Sequence, residues 1–210
     1  MKQDQLLIFD LDGTLSDPAV GIWRSINYAL AAFDYPAVGE QAVSQHWPTL
    51  DVAFRRIVPM ETDATILGMV AKYRERYGEV GYAENVVYAG IPDALASLAS
   101  DGVPMGVCTS KRADVAERIL ALFDLRRYFD FVSGGDVGVG KDDQLRVLLE
   151  HGTAEHRSCD DRRPGGRCDR GPCRRAAVDR GHGSLQELRD AAPDRLLEVP
   201  DDLTRLVDAV

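Results

Sequence analysis

The sequence predicts an α/β fold: a Rossmann-like parallel sheet core with an inserted helical cap domain. Three observations predict it. Leu6-Leu7-Ile8-Phe9 is a short apolar run that ends at Asp10 and is followed by Asp12-Gly13-Thr14, the pattern of a buried strand leading into a tight loop. Beyond Gly90, strand-like and helix-like stretches alternate, as crossover connections in a parallel sheet require. Between these regions lies a stretch with helical periodicity and no strand alternation.

The elements follow in order. After the first strand, residues from about Pro18 to Ala32 and from about Thr62 to Tyr77 carry helical patterning, separated by Pro-containing connections. The expected division is therefore a core of residues 1–16 and 86–210 and a cap of residues 17–85. Leu95, Leu98 and Ala99 fall at helical spacing, Asp101-Gly102 ends that helix, and Pro104 to Thr109 reads as a second strand. Val115, Ile119, Leu122 and Phe123 mark the next amphipathic helix, Phe129 to Ser133 a third strand, and Leu145, Leu148 and Leu149 a further helix.

Composition narrows the function. Of 210 residues, 45% are hydrophobic and 28% charged, ordinary values for a folded globular chain. A formal charge of -9 argues against a general nucleic-acid binder, so an anionic substrate needs a local cation or metal. No run of about 18 apolar residues occurs and Met1 to Gln5 is polar, so neither a membrane span nor a signal peptide is expected, and the cytoplasm is the default compartment. Cys108, Cys159, Cys168 and Cys173 do not form a paired framework in a chain of this size, and no disulfide is expected.

Reactive groups in open parallel sheets sit just past the carboxyl ends of the strands, and Asp10, Thr109 and Lys141 all lie at or shortly after such ends. Phosphoryl transfer through a covalent intermediate needs a carboxylate nucleophile, a nearby acid/base and cations that offset charge on the transferring group. Each requirement has a candidate in these segments.

Phe9-Asp10-Leu11-Asp12-Gly13-Thr14-Leu15 resembles the first signature of the haloacid dehalogenase superfamily. The resemblance implies that Asp10 attacks phosphorus to form an aspartyl-phosphate. It implies that Asp12 is the general acid/base, that Asp10 and Asp12 are Mg2+ ligands, Asp12 through its carbonyl, and that Gly13 permits close backbone approach to phosphate. Val107-Cys108-Thr109-Ser110-Lys111 resembles the second signature, in which the Thr109 hydroxyl and neighbouring amides, Ser110 among them, hold phosphoryl oxygens. Lys141, in Gly138-Val139-Gly140-Lys141-Asp142, stands where the family places a Lys that pairs with nucleophile and phosphate, although Asp142 replaces the usual Pro. Val87-Tyr88-Ala89-Gly90-Ile91-Pro92 and the position of the cap resemble the phosphoglycolate-phosphatase-like branch. Arg24, Arg55 and Arg56 are the cap's candidates for reaching a substrate anion.

One segment departs from this pattern. Arg157 to Arg180 holds eight arginines and three cysteines in 24 residues, with no Leu, Ile, Met, Phe, Tyr or Trp, and is not expected to supply a buried strand. The family resemblance covers residues 5 to 150 and resumes at Gly181-His182-Gly183-Ser184-Leu185, running through Asp194-Arg195-Leu196-Leu197-Glu198 to a final helix. The fourth signature, a strand ending in Gly-Asp whose carboxylate completes an all-oxygen magnesium site, is missing. A reading-frame shift opened near His156 and closed near Gly181 accounts for this. If Cys159 to Gly165 are encoded TGC GAC GAT CGG CGA CCG GGN, reading one nucleotide later gives Ala-Thr-Ile-Gly-Asp-Arg. Otherwise Asp160, Asp161 or Asp169 supplies the carboxylate from a divergent loop; a zinc site from Cys159, Cys168, Cys173 and His182 lacks a CxxC pair.

The expected function is a magnesium-dependent phosphatase acting on a small phosphorylated metabolite, as a monomer or homodimer, with no nucleic-acid or membrane partner. The alternatives are a catalytically impaired protein on the same fold and a sugar-phosphate mutase.

Overall fold

The structure, a computed structural model of the chain, describes residues 5–43, 49–135, 144, 147–148, 174–179 and 195–198. The apolar run near the start forms β1 (Gln5–Phe9), and its residues Leu6 to Phe9 are all buried. It pairs in parallel with β4 (Met105–Cys108), in the register Leu7 with Met105, Ile8 with Gly106 and Phe9 with Val107. All four residues of β4 are buried, as a parallel strand covered on both faces must be. β5 (Phe131–Ser133) extends the sheet beyond β4. Gly106 is required here, because a Cβ would stand 2.1 Å from Cζ of Phe131 on the neighbouring strand.

Parallel neighbours need crossovers. α4 (Ile91–Ser100) buries Ile91, Ala94, Leu95 and Leu98 on one face. It ends in a Schellman motif: Gly102, at φ +72°, donates to the Ala99 carbonyl and Val103 to the Leu98 carbonyl, both at 3.0 Å. α5 (Ala113–Leu122) buries Val115, Ala116, Ile119 and Leu120. Gln144, Val147 and Leu148 are helical.

The five-stranded sheet has the order β5-β4-β1-β6-β7, where β6 is Arg174–Asp179 and β7 is Arg195–Glu198. A strand, β6, lies within the Arg-rich segment, which composition does not point to as a source of a buried strand. It pairs in parallel with β1, from Gln5 with Arg174 to Phe9 with Val178, and with β7, from Ala176 with Arg195 to Asp179 with Glu198. The ladder joins backbone to backbone, so it asks little of side-chain chemistry, and Ala176-Ala177-Val178 is the stretch of the segment with the fewest polar groups. The remainder of the segment, with Cys159, Cys168 and Cys173, lies outside the described residues, as does the expected final helix. Cys108 is buried and is in no disulfide among the described residues.

The chain divides into two compact units, Met1–Leu15 with Val87–Val210, and Ser16–Val86. The inserted unit holds α1 (Ala19–Ala31), α2 (Leu50–Ile57) and α3 (Asp63–Glu79). Ile26 and Leu30 of α1, Phe54 of α2 and Ile66, Met69 and Tyr73 of α3 form its buried core. Thr62 caps α3 by accepting from the Thr65 amide at 3.3 Å. The short strands β2 (Ser16–Asp17) and β3 (Val86–Val87) form a separate two-stranded sheet, too short for an alternating pattern to be visible in the sequence. Among the described residues no helix is long and apolar enough to cross a membrane.

Candidate active site

Two loops leave the carboxyl edge of the sheet side by side because β1 and β4 are adjacent, parallel and in register up to Phe9 and Val107. The first carries Asp10 and Asp12. Its shape is set by Leu11, whose carbonyl accepts from the amides of Thr14 at 3.3 Å and Leu15 at 2.9 Å, and by Gly13, whose φ of +77° suits a residue without a Cβ. Leu11, Thr14 and Leu15 are buried, which anchors the turn and leaves Asp10 and Asp12 half-buried. The Asp10 carboxylate accepts from the Leu11 amide at 2.8 Å. The Asp12 Oδ1 atom is buried and has no hydrogen-bond partner among the described residues.

The second loop carries Thr109, Ser110 and Lys111. Thr109 is 1% exposed; its amide donates to the Ser133 carbonyl at 2.9 Å and its hydroxyl oxygen accepts from the Lys111 amide at 3.2 Å. A hydroxyl that accepts still has a proton to donate, so Thr109 keeps the capacity to bind a phosphoryl oxygen. Ser110 is exposed. Gly134 and Gly135 close over this loop: a Cβ on Gly134 would lie 2.1 Å from the Ala113 nitrogen, and one on Gly135 would lie 2.3 Å from the Ser110 carbonyl oxygen.

Lys111 joins the two loops. Its Nζ lies 2.9 Å from Asp12 Oδ2, with side-chain exposures of 10% for the lysine and 32% for the aspartate. The sequence reading assigned Lys111 no role. The available signal was its place two residues after Thr109, but nothing in the sequence says that a side chain from one strand end meets a carboxylate from another. Lys141, the cation that was expected, lies outside the described residues.

Arg24, Arg55 and Arg76 of the inserted unit pair with carboxylates of the same unit. Arg76 donates to Glu84 by two nitrogens, at 2.8 and 3.0 Å, and Arg24 donates to the same carboxylate at 2.7 Å. The Arg76 hydrogen bonds hold the Glu84 carboxyl below its ordinary range, helped by Arg24 and opposed by burial. Arg55 pairs with Asp63 at 2.7 Å. Arg24 and Arg55, two of the three arginines considered for a substrate anion, are thus tied to carboxylates; Arg56 is exposed on α2.

Asp10 and Asp12 offer hard oxygen donors from one turn, the Asp10 carboxylate and the Asp12 carbonyl, and such donors suit a hard divalent cation. Among the described residues no group of three or more His, Cys, Asp or Glu side chains forms a metal cluster. A further acidic position stands at the same edge of the sheet. Val178 is paired with Phe9, so Asp179 follows at the level of Asp10, and it is paired in turn with Glu198. Asp160, Asp161 and Asp169 lie outside the described residues.

The sequence profile described as haloacid dehalogenase-like hydrolase matches residues 7–157, ending where the Arg-rich segment begins. Tyrosine-protein kinase PtkA of Mycobacterium tuberculosis is 33% identical over 162 residues, 77% of this chain and 54% of that protein. Its solved structure superposes with a TM-score of 0.72 at 25% identity, covering 99% of both chains. A 5'-nucleotidase of Pseudomonas aeruginosa is 35% identical over 151 residues, 69% of this chain and 66% of that protein. A phosphoglycolate phosphatase of Escherichia coli is 29% identical over 152 residues, 61% of this chain and 60% of that protein. The chain thus spans between 54% and 66% of the length of these curated relatives.

Proposed function

The chain belongs to the haloacid dehalogenase-like hydrolase family, and from that premise we propose that it is a magnesium-dependent phosphatase of small phosphomonoesters working through an aspartyl-phosphate on Asp10. One observation carries the reading. Two half-buried carboxylates, a buried hydroxyl and a lysine ammonium meet at the carboxyl edge of a parallel sheet, with Lys111 bonded to Asp12 at 2.9 Å. The relatives named phosphoglycolate phosphatase and 5'-nucleotidase support phosphoglycolate or a nucleoside monophosphate as the substrate class.

In this mechanism a carboxylate oxygen of Asp10 attacks phosphorus, and the bond from phosphorus to the ester oxygen breaks. Asp12 gives its proton to that leaving oxygen. Asp12 then takes a proton from water as the water attacks phosphorus, and the bond to Asp10 breaks to release phosphate. The Thr109 hydroxyl and the Ser110 amide orient the phosphoryl oxygens, with Lys141 supplying a further cation. Asp10 and Asp12 would hold magnesium, with Asp179 as the nearest further carboxylate position by strand register; when bound, the ion offsets charge on the transferring group.

Asp10→Asn is expected to lower magnesium-dependent release of phosphate from p-nitrophenyl phosphate by at least about a thousandfold. Full activity in that variant would rule the mechanism out. Labelled ATP and a tyrosine peptide test the activity that the name PtkA carries, since the same aspartyl-phosphate could pass its phosphoryl group to a phenol instead of water.

The Arg-rich segment favours a second reading, in which the chain keeps the fold and has lost the metal carboxylate. Reading the gene across codons 150 to 185 separates the two. A corrected frame that encodes Ile-Gly-Asp restores the fourth signature; confirmation of the present frame leaves Asp160, Asp161, Asp169 and Asp179 as the carboxylates to test and moves the impaired reading forward.

A further inference from the structure

The geometry points to Lys111 as a positioning residue that fixes the Asp12 carboxylate through one oxygen and leaves the other to exchange the proton. This rests on the phosphatase reading above. Lys111 Nζ and Asp12 Oδ2 are 2.9 Å apart, and the lysine side chain is only 10% exposed, so this is no ordinary solvated surface pair.

The lysine is held from both sides of its backbone. Its amide donates to Thr109 Oγ1 at 3.2 Å, and its carbonyl accepts from the Gly135 amide at 2.8 Å. The close approach of Gly134 and Gly135 to Ser110 and Ala113, which no Cβ could permit, keeps that loop in place. The ammonium therefore approaches Asp12 from a fixed origin.

That matters because the last torsion of an aspartate is broad and nearly two-fold, so an unrestrained carboxylate presents either oxygen over a wide range of angles. A single contact at Oδ2 removes the equivalence. Oδ1 is left buried and without a hydrogen-bond partner among the described residues, a state costly enough that something in the working enzyme must satisfy it. The leaving-group oxygen and the hydrolytic water are the atoms that the proposed reaction brings to it. Lys111 acts through Asp12, so its loss should slow proton exchange without weakening substrate binding.

The test compares Lys111→Met and Lys111→Arg in the full chain, using p-nitrophenyl phosphate with magnesium, and adds melting curves for Lys111→Met, Asp12→Asn and the double variant. Expected for Lys111→Met is a kcat lowered about 100-fold with KM changed less than about twofold, and recovery to within about tenfold of wild type in Lys111→Arg. The melting shift caused by Lys111→Met should differ by about 2 °C or more between the wild-type and Asp12→Asn backgrounds. Additive melting shifts would overturn the proposal whatever the kinetics, because the contact would then carry no coupling. A raised KM at unchanged kcat would overturn it too, making Lys111 a substrate contact. Absence of turnover in the wild-type protein sinks the phosphatase reading instead, and leaves the melting cycle to decide whether Lys111 holds Asp12.

Discussion

On one flank of β1 stands β4, four consecutive buried residues from Met105 to Cys108; on the other stands β6, which opens with Arg174-Arg175 and has Ala176, Ala177 and Val178 as its apolar residues. Both strands form parallel ladders with the same five-residue partner. The difference separates two kinds of information. The β4 flank is specified by side chains: Phe131 lies where only Gly106 leaves room, and Phe9 meets Phe129 edge to face with centroids 5.9 Å apart. The β6 flank shows its register through backbone pairing, from Gln5 with Arg174 to Phe9 with Val178, which almost any non-proline sequence can supply. Such a flank closes the sheet without a sequence pattern that announces it.

The largest effect on stability is expected where side chains decide. Met105→Ala, at a residue 1% exposed, should destabilise the protein by about 2–5 kcal/mol in denaturant unfolding. A loss under about 1 kcal/mol would mean that side-chain packing does not hold the β4 flank. Ala177→Pro strikes the other flank at its ladder, opposite Ile8, and should cost roughly 3 kcal/mol by removing a hydrogen bond from a strand paired on both sides. An unchanged unfolding midpoint would break the comparison by removing β6 from β1.

Gly106→Ala is expected to cost about 1–3 kcal/mol, with much of it recovered when Phe131→Leu is added. No recovery would show that the clash lies elsewhere. The smallest effect is a control in the inserted unit, where ion pairs rather than ladders are at issue. The Glu84 carboxyl is held below its ordinary range chiefly by Arg76, so its contribution is present above the ordinary carboxyl value of the unfolded chain and is lost as pH falls through the lower folded value. Acid titration of stability should therefore lose a component of about 1 kcal/mol or less in Glu84→Gln, and an identical acid profile would remove that role.

The candidate site was legible to the extent that it is local. Asp10, Asp12, Gly13 and Thr109 follow strand-like runs, and the structure brings their loops together because β1 and β4 are neighbours. α2 and the β2 and β3 pair were not read, since eight residues and two-residue strands are too short to show a period. The Arg-rich stretch was read for what it lacks, and the family match does stop at residue 157. Its capacity to pair through the backbone went unread.

The sequence by itself determined the α/β alternation, the helical insertion and the aspartate turn at the end of the first strand, because each follows from periodicity and turn chemistry within about ten residues. Only the tertiary structure decided which lysine meets Asp12, which strand stands on the far side of β1, and which arginines are already taken. The first two depend on strand order and register, which join residues about a hundred or more positions apart, and the third on how the helices of the inserted unit pack; neither leaves a trace in local spacing.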